Sequence, residues 1–253
     1  MLPDERKREI VELVSNDGSR TVDDLAGRFD VSNATIRRDL QELDDRGLIK
    51  RSHGGAVPAP SKGNEETYTQ KRIQNLEAKQ AIGSRAAEEL RTGMAVCFDA
   101  GTTTMQVARA SPDDASLITV TNSPPHAEEL LGVGKVKLSG GTLREETKAL
   151  VGPQAESFFE DLHLDLSYVG TNGIDVDTGL MTPNEEEARL KSLMIRQAER
   201  VILVADESKF GSQSLVRFAA LDALDVVVTD GTLTDRQREA FVEADVRVLE
   251  GVG

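Results

Sequence analysis

Residues 31–46 read Val-Ser-Asn-Ala-Thr-Ile-Arg-Arg-Asp-Leu-Gln-Glu-Leu-Asp-Asp-Arg, and this run constrains the fold more than any other. Ser32 fits a helix N-cap, because its hydroxyl can accept one of the amide protons that a first turn leaves orphaned. Ile36, Leu40 and Leu43 recur at i, i+4 and i+7 and mark one buried face. Ala34, Arg37, Arg38 and Gln41 point the other way. That outward face pairs long hydrogen-bonding side chains with one small residue that permits close approach. Such a helix suits a DNA major groove, where Arg and Gln meet base edges.

The flanks support this reading. Thr21 can cap a short helix whose Val22, Leu25, Ala26 and Phe29 sit at i, i+3, i+4 and i+7. Only Asp30 and Val31 then precede Ser32, so the two segments make a helix-turn-helix. An earlier helix is expected over 3–14, with Ile10, Leu13 and Val14 inward and a turn at 16–19. Gly47 should end the recognition helix. Residues 48–57 read as two short strands joined by a glycine turn. Lys50, Arg51 and His53 near its tip form a basic wing suited to phosphates. The expected DNA-facing set is therefore Ser32, Asn33, Ala34, Thr35, Arg37, Arg38, Gln41, Lys50, Arg51 and His53.

With Thr35-Ile-Arg-Arg-Asp-Leu40 and Arg51-Ser-His-Gly-Gly-Ala56 in place, residues 31–57 closely resemble the winged helix of DeoR-type sugar-operon repressors. The resemblance implies double-stranded operator DNA as a partner.

A chain of 253 residues has room for two domains. Only 4% of it is aromatic, so its cores must rest on Val, Leu, Ile and Ala. The single cysteine, Cys97, excludes an internal disulfide and a thiolate-rich metal site. His53, His126 and His163 lack metal-ligand spacing, and no metal or cofactor is expected. The opening Met-Leu-Pro-Asp-Glu-Arg-Lys has no apolar core, and no uncharged apolar run approaches a membrane span. A cytoplasmic protein without membrane contact is expected.

The net charge of −14 is awkward for a partner of a polyanion. It is unevenly spread. Residues 1–57 hold 10 Lys+Arg against 12 Asp+Glu, while the remainder holds 20 against 32. The acid load thus falls on the part that need not approach DNA. Arg outnumbers Lys 20 to 10 amid these acids. This suggests a halophilic protein, whose hydrated acidic surface is screened by salt.

Residues 58–64 are rich in Pro and Gly and read as a hinge. Residues 65–73 are polar and read as a spacer. The expected domains are 1–57, a linker over 58–74, and 75–253. In the last, a helix over 78–90 places Ala78, Ile82, Ala86 and Leu90 in register. Strands are expected at 94–98, 117–121, 136–138, 164–169, 200–205, 226–229 and 246–249. Helices fall at 103–110, 125–131, 153–161, 185–198 and 234–243. Continuous apolar strands alternating with helices argue a buried, mainly parallel sheet, hence an α/β domain.

Ligands of such sheets bind beyond the carboxyl ends of the strands. The first expected strand ends in Phe98-Asp-Ala-Gly-Thr-Thr-Thr104, where glycine, hydroxyls and a helix N-terminus suit an anion. The same residues would equally make a capped strand-to-helix turn. Asp99, Gly101, Thr102, Thr103 and Thr104 are candidates here. Thr121 and Asn122 follow the second strand, and Gly140 and Gly141 the third. Gly170, Thr171 and Asn172 follow the fourth, and Lys209 the fifth. Small and hydroxyl residues at so many strand ends suit a polyhydroxylated anion. Arg144 and Lys148 could add charge or could be a solvated pair. Asn184-Glu-Glu-Glu187 begins a helix; Glu186 reads as dipole complement, while Glu185 and Glu187 stay open.

The resemblance extends over this part. Asp99-Ala-Gly-Thr-Thr-Thr104, Gly170-Thr-Asn-Gly-Ile-Asp175 and Ala205-Asp-Glu-Ser-Lys209 look like the DeoR sensor domain, itself similar to ribose-5-phosphate isomerase. Within the family the chain looks most like glycerol- and fructose-type regulators of haloarchaea. The implied protein is a homodimeric or homotetrameric repressor of fructose, glucose or glycerol catabolic genes. A phosphorylated sugar would release it, with Asp175 joining the effector set; Glu185 is a further candidate from the helix start at 184–187, where a carboxylate could bind sugar hydroxyls. The other reading is a sugar-phosphate isomerase with an appended DNA-binding module. Asp99, Asp175, Glu185 and Lys209 are its nominees for acid–base work. Against it, Thr178-Gly-Leu-Met-Thr182 does not match the lysine- and glycine-rich loop of that enzyme.

Overall fold

The computed structural model describes residues 3–17, 19–45, 48–52, 54–58 and 65–253. The chain divides into two units, Met1–Glu65 and Glu66–Gly253. The first runs α1 (Pro3–Asp17), β1 (Arg20–Thr21), α2 (Val22–Phe29), α3 (Asn33–Asp45), β2 (Ile49–Ser52) and β3 (Gly55–Pro58). Thr21 closes a capping box with Asp24 at the start of α2. Asp30, at φ 51°, turns the chain out of α2. The amide of Thr35 donates to Ser32 Oγ at 3.2 Å and fixes the start of α3. Ile36, Leu40 and Leu43 bury against Ile10, Val14 and Leu25.

Two features differ from expectation. Helix α1 runs on to Asp17, past the expected end at Val14. The wing also gains a third strand, in the order β1-β3-β2. Gly55 permits it, because a Cβ there would lie 1.8 Å from the Arg20 carbonyl oxygen. Residues Gly47, His53 and 59–64, hence the expected helix stop, part of the wing tip and nearly all of the hinge, lie outside the described residues.

The second unit begins with α4 (Tyr68–Ile73) and α5 (Leu76–Ala87). There follow β4 (Ala95–Phe98), α6 (Thr102–Ala110), β5 (Ile118–Thr121), α7 (Pro124–Glu129), β6 (Lys135–Leu138), β7 (Thr142–Leu143) and β8 (Leu150–Val151). The chain continues through α8 (Pro153–Glu160), β9 (Leu166–Val169), β10 (Gly173–Asp175), β11 (Gly179–Thr182) and α9 (Glu185–Arg196). It ends with β12 (Val201–Val204), β13 (Val216–Ala219), β14 (Val226–Val228), α10 (Asp235–Glu243) and β15 (Arg247–Leu249). All seven expected strands are present and form one parallel sheet, ordered β15-β14-β12-β9-β4-β5-β6. Both faces are covered. Val96 and Phe98 pack with Ile82 and Val107 on one side, while Cys97 packs with Phe159 and Met194 on the other.

The segment expected as a spacer over 65–73 contains α4, opened by a capping box between Thr67 and Gln70. Its Tyr68 is buried, and the Tyr68 amide donates to the Glu146 carbonyl at 2.5 Å. A small antiparallel sheet, β10-β11-β13, was also not expected. Among the described residues no helix is long and apolar enough to cross a membrane.

Strand order locates the site. From β4 the chain moves outward through β5 and β6, then returns to place β9 on the other side of β4. The direction of winding reverses between β4 and β9. The loops at their carboxyl ends therefore diverge and leave a crevice.

Candidate functional site

On the first unit, α3 presents Asn33, Ala34, Arg37, Arg38 and Gln41 to solvent, with Ser32 exposed just before it. Thr35 is half-buried and shares a hydrogen bond with the Ser32 hydroxyl at 2.9 Å. Arg37 and Arg38 make no ion pair or hydrogen bond among the described residues. Two unspent guanidinium groups on one exposed helix face are suited to bases or phosphates. Asn33 is tied to Asp23 at 2.7 Å. Arg51 of the wing donates to the Gln41 side chain, so wing and helix present these two groups together. Lys50 is exposed beside it; His53 is among the residues not described.

The inner face of α3 holds a charge that its apolar spacing does not announce. Asp39 is buried and accepts two hydrogen bonds from Arg6 of α1, at 2.6 and 3.2 Å. This fork holds the recognition helix against α1.

In the second unit a cleft opens at the β4–β9 crevice. Asp99, Gly101, Thr102, Thr103, Gly170, Thr171, Asn172 and Lys209, all expected, line it. Seven further residues line it that were not among the expected set: Tyr68, Lys71, Lys79, Ala100, Thr147, Glu187 and Lys191. Asp99 is buried and bonds to Lys191, while its Oδ2 also accepts the Gly170 amide at 2.9 Å. The Lys191 ammonium donates to the Gly170 carbonyl at 3.0 Å and lies 5.6 Å from the centre of the Phe218 ring. Gly101 and Gly170 close around this pair. A Cβ on either would stand 3.5 or 3.4 Å from Asp99 Oδ2. Glu187 is buried and spent on Arg144 and the Thr147 hydroxyl. Lys79 is buried too, and burial draws its pKa down to about 8 although Asp206 pulls the other way.

The carboxylates of the cleft are thus neutralised by cations, and lysines remain in excess. The helix α6 adds its amino end at Gly101. In a chain of net charge −14, this is a local reversal of sign suited to an anion.

Seven expected residues lie outside the cleft lining, each for a local reason. Thr104 faces inward and donates to the carbonyls of Asp99 and Gly101 at 2.6 and 2.8 Å. Thr121 accepts the Ser123 amide at 3.2 Å. Asn122 holds β8 through the Leu150 carbonyl at 3.2 Å. Gly141, at φ 121°, brings its backbone against Val151, and Gly140 beside it is exposed. Asp175 ties the β10–β11 turn by accepting the Thr178 amide at 2.8 Å. Glu185 is exposed; of the two acids left open, Glu187 is the one in the cleft. Arg144 pairs with Glu187, and neither it nor Lys148 is in the cleft lining. No group of three or more His, Cys, Asp or Glu suited to a metal ion occurs among the described residues.

Comparison with known proteins agrees with both halves. The DeoR-like helix-turn-helix domain matches residues 6–62, and the DeoR C terminal sensor domain matches residues 74–231. The chain is 58% identical over 253 residues to the HTH-type transcriptional regulator GlpR of Haloferax volcanii, covering 100% of this chain and 99% of that one. It is 35% identical over 228 residues to the glycerol-3-phosphate regulon repressor of Escherichia coli, covering 89% and 90%. Among solved structures, ribose 5-phosphate isomerase A from Methanocaldococcus jannaschii aligns with a TM-score of 0.41 at 12% identity, over 54% of this chain and 55% of that one.

Proposed function

The chain belongs to the DeoR family of transcriptional regulators, and from that premise we propose that its cleft binds a phosphorylated sugar which releases the winged helix from operator DNA. The protein is a repressor of sugar-metabolism genes and not an enzyme; the relatives it matches are regulators. The observation that carries the effector reading is the cluster of Lys71, Lys79 and Lys209 at the strand-order reversal, beside the amino end of α6. Phosphate is held there by ammonium groups and backbone amides. Sugar hydroxyls have Thr103, Thr171 and Asn172 as partners. Asp99 is encumbered by Lys191 and Gly170, which suits a fixed wall rather than a mobile base.

On the DNA side, α3 enters the major groove with Arg37 and Arg38, and the wing touches phosphates with Lys50 and Arg51. Two half-sites are read by a homodimer or homotetramer in the cytoplasm, where its DNA lies. The effector must bind the DNA-incompetent arrangement more tightly, or release does not follow. Thr103→Ala and Lys209→Ala test this reading. Both should bind an upstream DNA fragment as wild type does in a gel shift, yet need at least tenfold more sugar phosphate for release. Normal release from both variants would reject the cleft.

A further inference from the structure

Lys79 stands at the junction between the cleft and the first helix after the linker. Its side chain is buried inside the stripe of α5 that also buries Ile82, Gly83 and Ala86. The ammonium donates to the carbonyl of Lys71 at 2.6 Å and of Gln74 at 2.7 Å. Those carbonyls belong to the closing turn of α4, where helix oxygens lack amide partners. An ammonium carries three protons, and the third meets no acceptor among the described residues. Lys79 is also among the residues that line the cleft, with Tyr68 and Lys71 of α4.

Helix α4 is short, and little besides Tyr68 buries it. Besides Tyr68, polar bonds hold this segment: the Tyr68 amide on Glu146, the Lys79 clasp, Gln74 on Glu66 at 2.9 Å, and Asn75 just beyond the helix on Asp206 at 3.0 Å. Asn75 itself takes a left-handed φ of 49°. A helix this weakly rooted opens at low free-energy cost. The clasp is also electrically incomplete. It buries a cation against neutral carbonyls, with Lys71 and Lys209 repelling it and Asp206 and Glu66 attracting it.

Resting on the reading that an anion occupies the cleft, we propose that Lys79 couples that occupancy to the docking of α4, and so to the point where the linker to the DNA-binding domain leaves the sensor. A phosphate on the third proton supplies the counter-charge that the carbonyls lack. It offsets the cost of burying the ammonium, which keeps Lys79 charged and in place on Lys71 and Gln74, and α4 docks more firmly. By reciprocity, firm docking of α4 tightens the hold on the anion by the same factor.

Hydrogen exchange on the full chain tests this, with glycerol 3-phosphate and fructose 1-phosphate as probes. In wild type, the probe that binds should slow exchange in peptides covering 101–104 and 170–172, and should slow 68–76 at least tenfold. In Lys79→Met, similar in length but uncharged, the probe should bind at least tenfold more weakly. At saturation it should protect 101–104 and 170–172 but leave 68–76 unchanged. Protection of the core strand 95–98 reports that the variant is folded, and Lys79→Gln serves if it is not. Equal probe-induced protection of 68–76 in wild type and variant overturns the coupling. So does a wild type that protects the cleft peptides alone, which leaves the site reading standing. Absence of protection at 101–104 and 170–172 by either probe overturns the site reading, and the coupling with it.

Discussion

Replacing Lys191 by Met should unsettle the sensor more than any surface change, and the structure sets the scale. Lys191 and Asp99 are 6% and 3% exposed, so neither charge is solvated. Removing the cation leaves the Asp99 carboxylate buried with one neutral donor, the Gly170 amide at 2.9 Å. Breaking one side of a buried pair costs about 3–5 kcal/mol. The Gly170 carbonyl also loses its 3.0 Å donor, which places the cost toward the upper part of that range. In a domain of this size each kcal/mol moves the melting midpoint by about 2–4 °C, so a fall of roughly 10 °C is expected. The second substitution is the discriminating one. Asp99→Asn together with Lys191→Met removes both charges and should recover most of the loss, since an uncharged replacement of a buried pair is often near neutral. Urea unfolding followed by circular dichroism reads both variants. A loss below about 1 kcal/mol in Lys191→Met would refute the argument that the pair is buried and mutually dependent.

Other expectations follow from the same geometry. Arg37→Ala or Arg38→Ala should weaken operator binding by about 1–3 kcal/mol where the guanidinium reads a base. A uniform loss over all sequences, with a shallower salt dependence, would mark a phosphate contact instead. His126 is fully buried between Ser123 and Thr104, and burial draws its pKa down to about 4 from 6.5. Above pH 6.5 it is neutral in both states and contributes no pH dependence. Between pH 6.5 and 4 only the unfolded chain takes up the proton, so stability falls as pH drops, by roughly 3 kcal/mol in total. His126→Gln should lack this component, and equal acid sensitivity in the two proteins would contradict it. The acidic surface should make the protein more stable in multimolar KCl than in dilute buffer; equal or lower stability there would remove the halophile reading.

Much of this was legible because burial leaves a periodic trace. Seven apolar runs became seven strands, and Ser32 and Thr21 capped the helices they precede. Helix α4 left a weaker trace, since only Tyr68 anchors it and the rest of 65–73 is polar. Strands β10 and β11 are short and hold no alternating pattern; pairing with distant β13 defines that sheet. The strand-end residues after β4 and β9, where winding reverses, line the cleft, whereas Thr121, Asn122 and Gly141 after β5 and β6 are taken up by Ser123 and by β8. Lys79 and Lys191 were missed because lysines on a helix usually lie in water. Yet each stands in core register, Lys79 with Ile82 and Ala86, and Lys191 with Ala188 and Met194. A lysine on an apolar stripe demands a buried acceptor, and that signal was available. Its partner was not, because Asp99 lies 92 residues from Lys191 along the chain.

The most direct measurement titrates sugar phosphates into a complex of the purified protein with the DNA upstream of its own gene. Specific binding that falls at least tenfold with one phosphorylated sugar, and stays unmoved by the same sugar without phosphate, is the predicted result. Binding indifferent to every sugar phosphate, or no preference for any upstream fragment, would contradict the account.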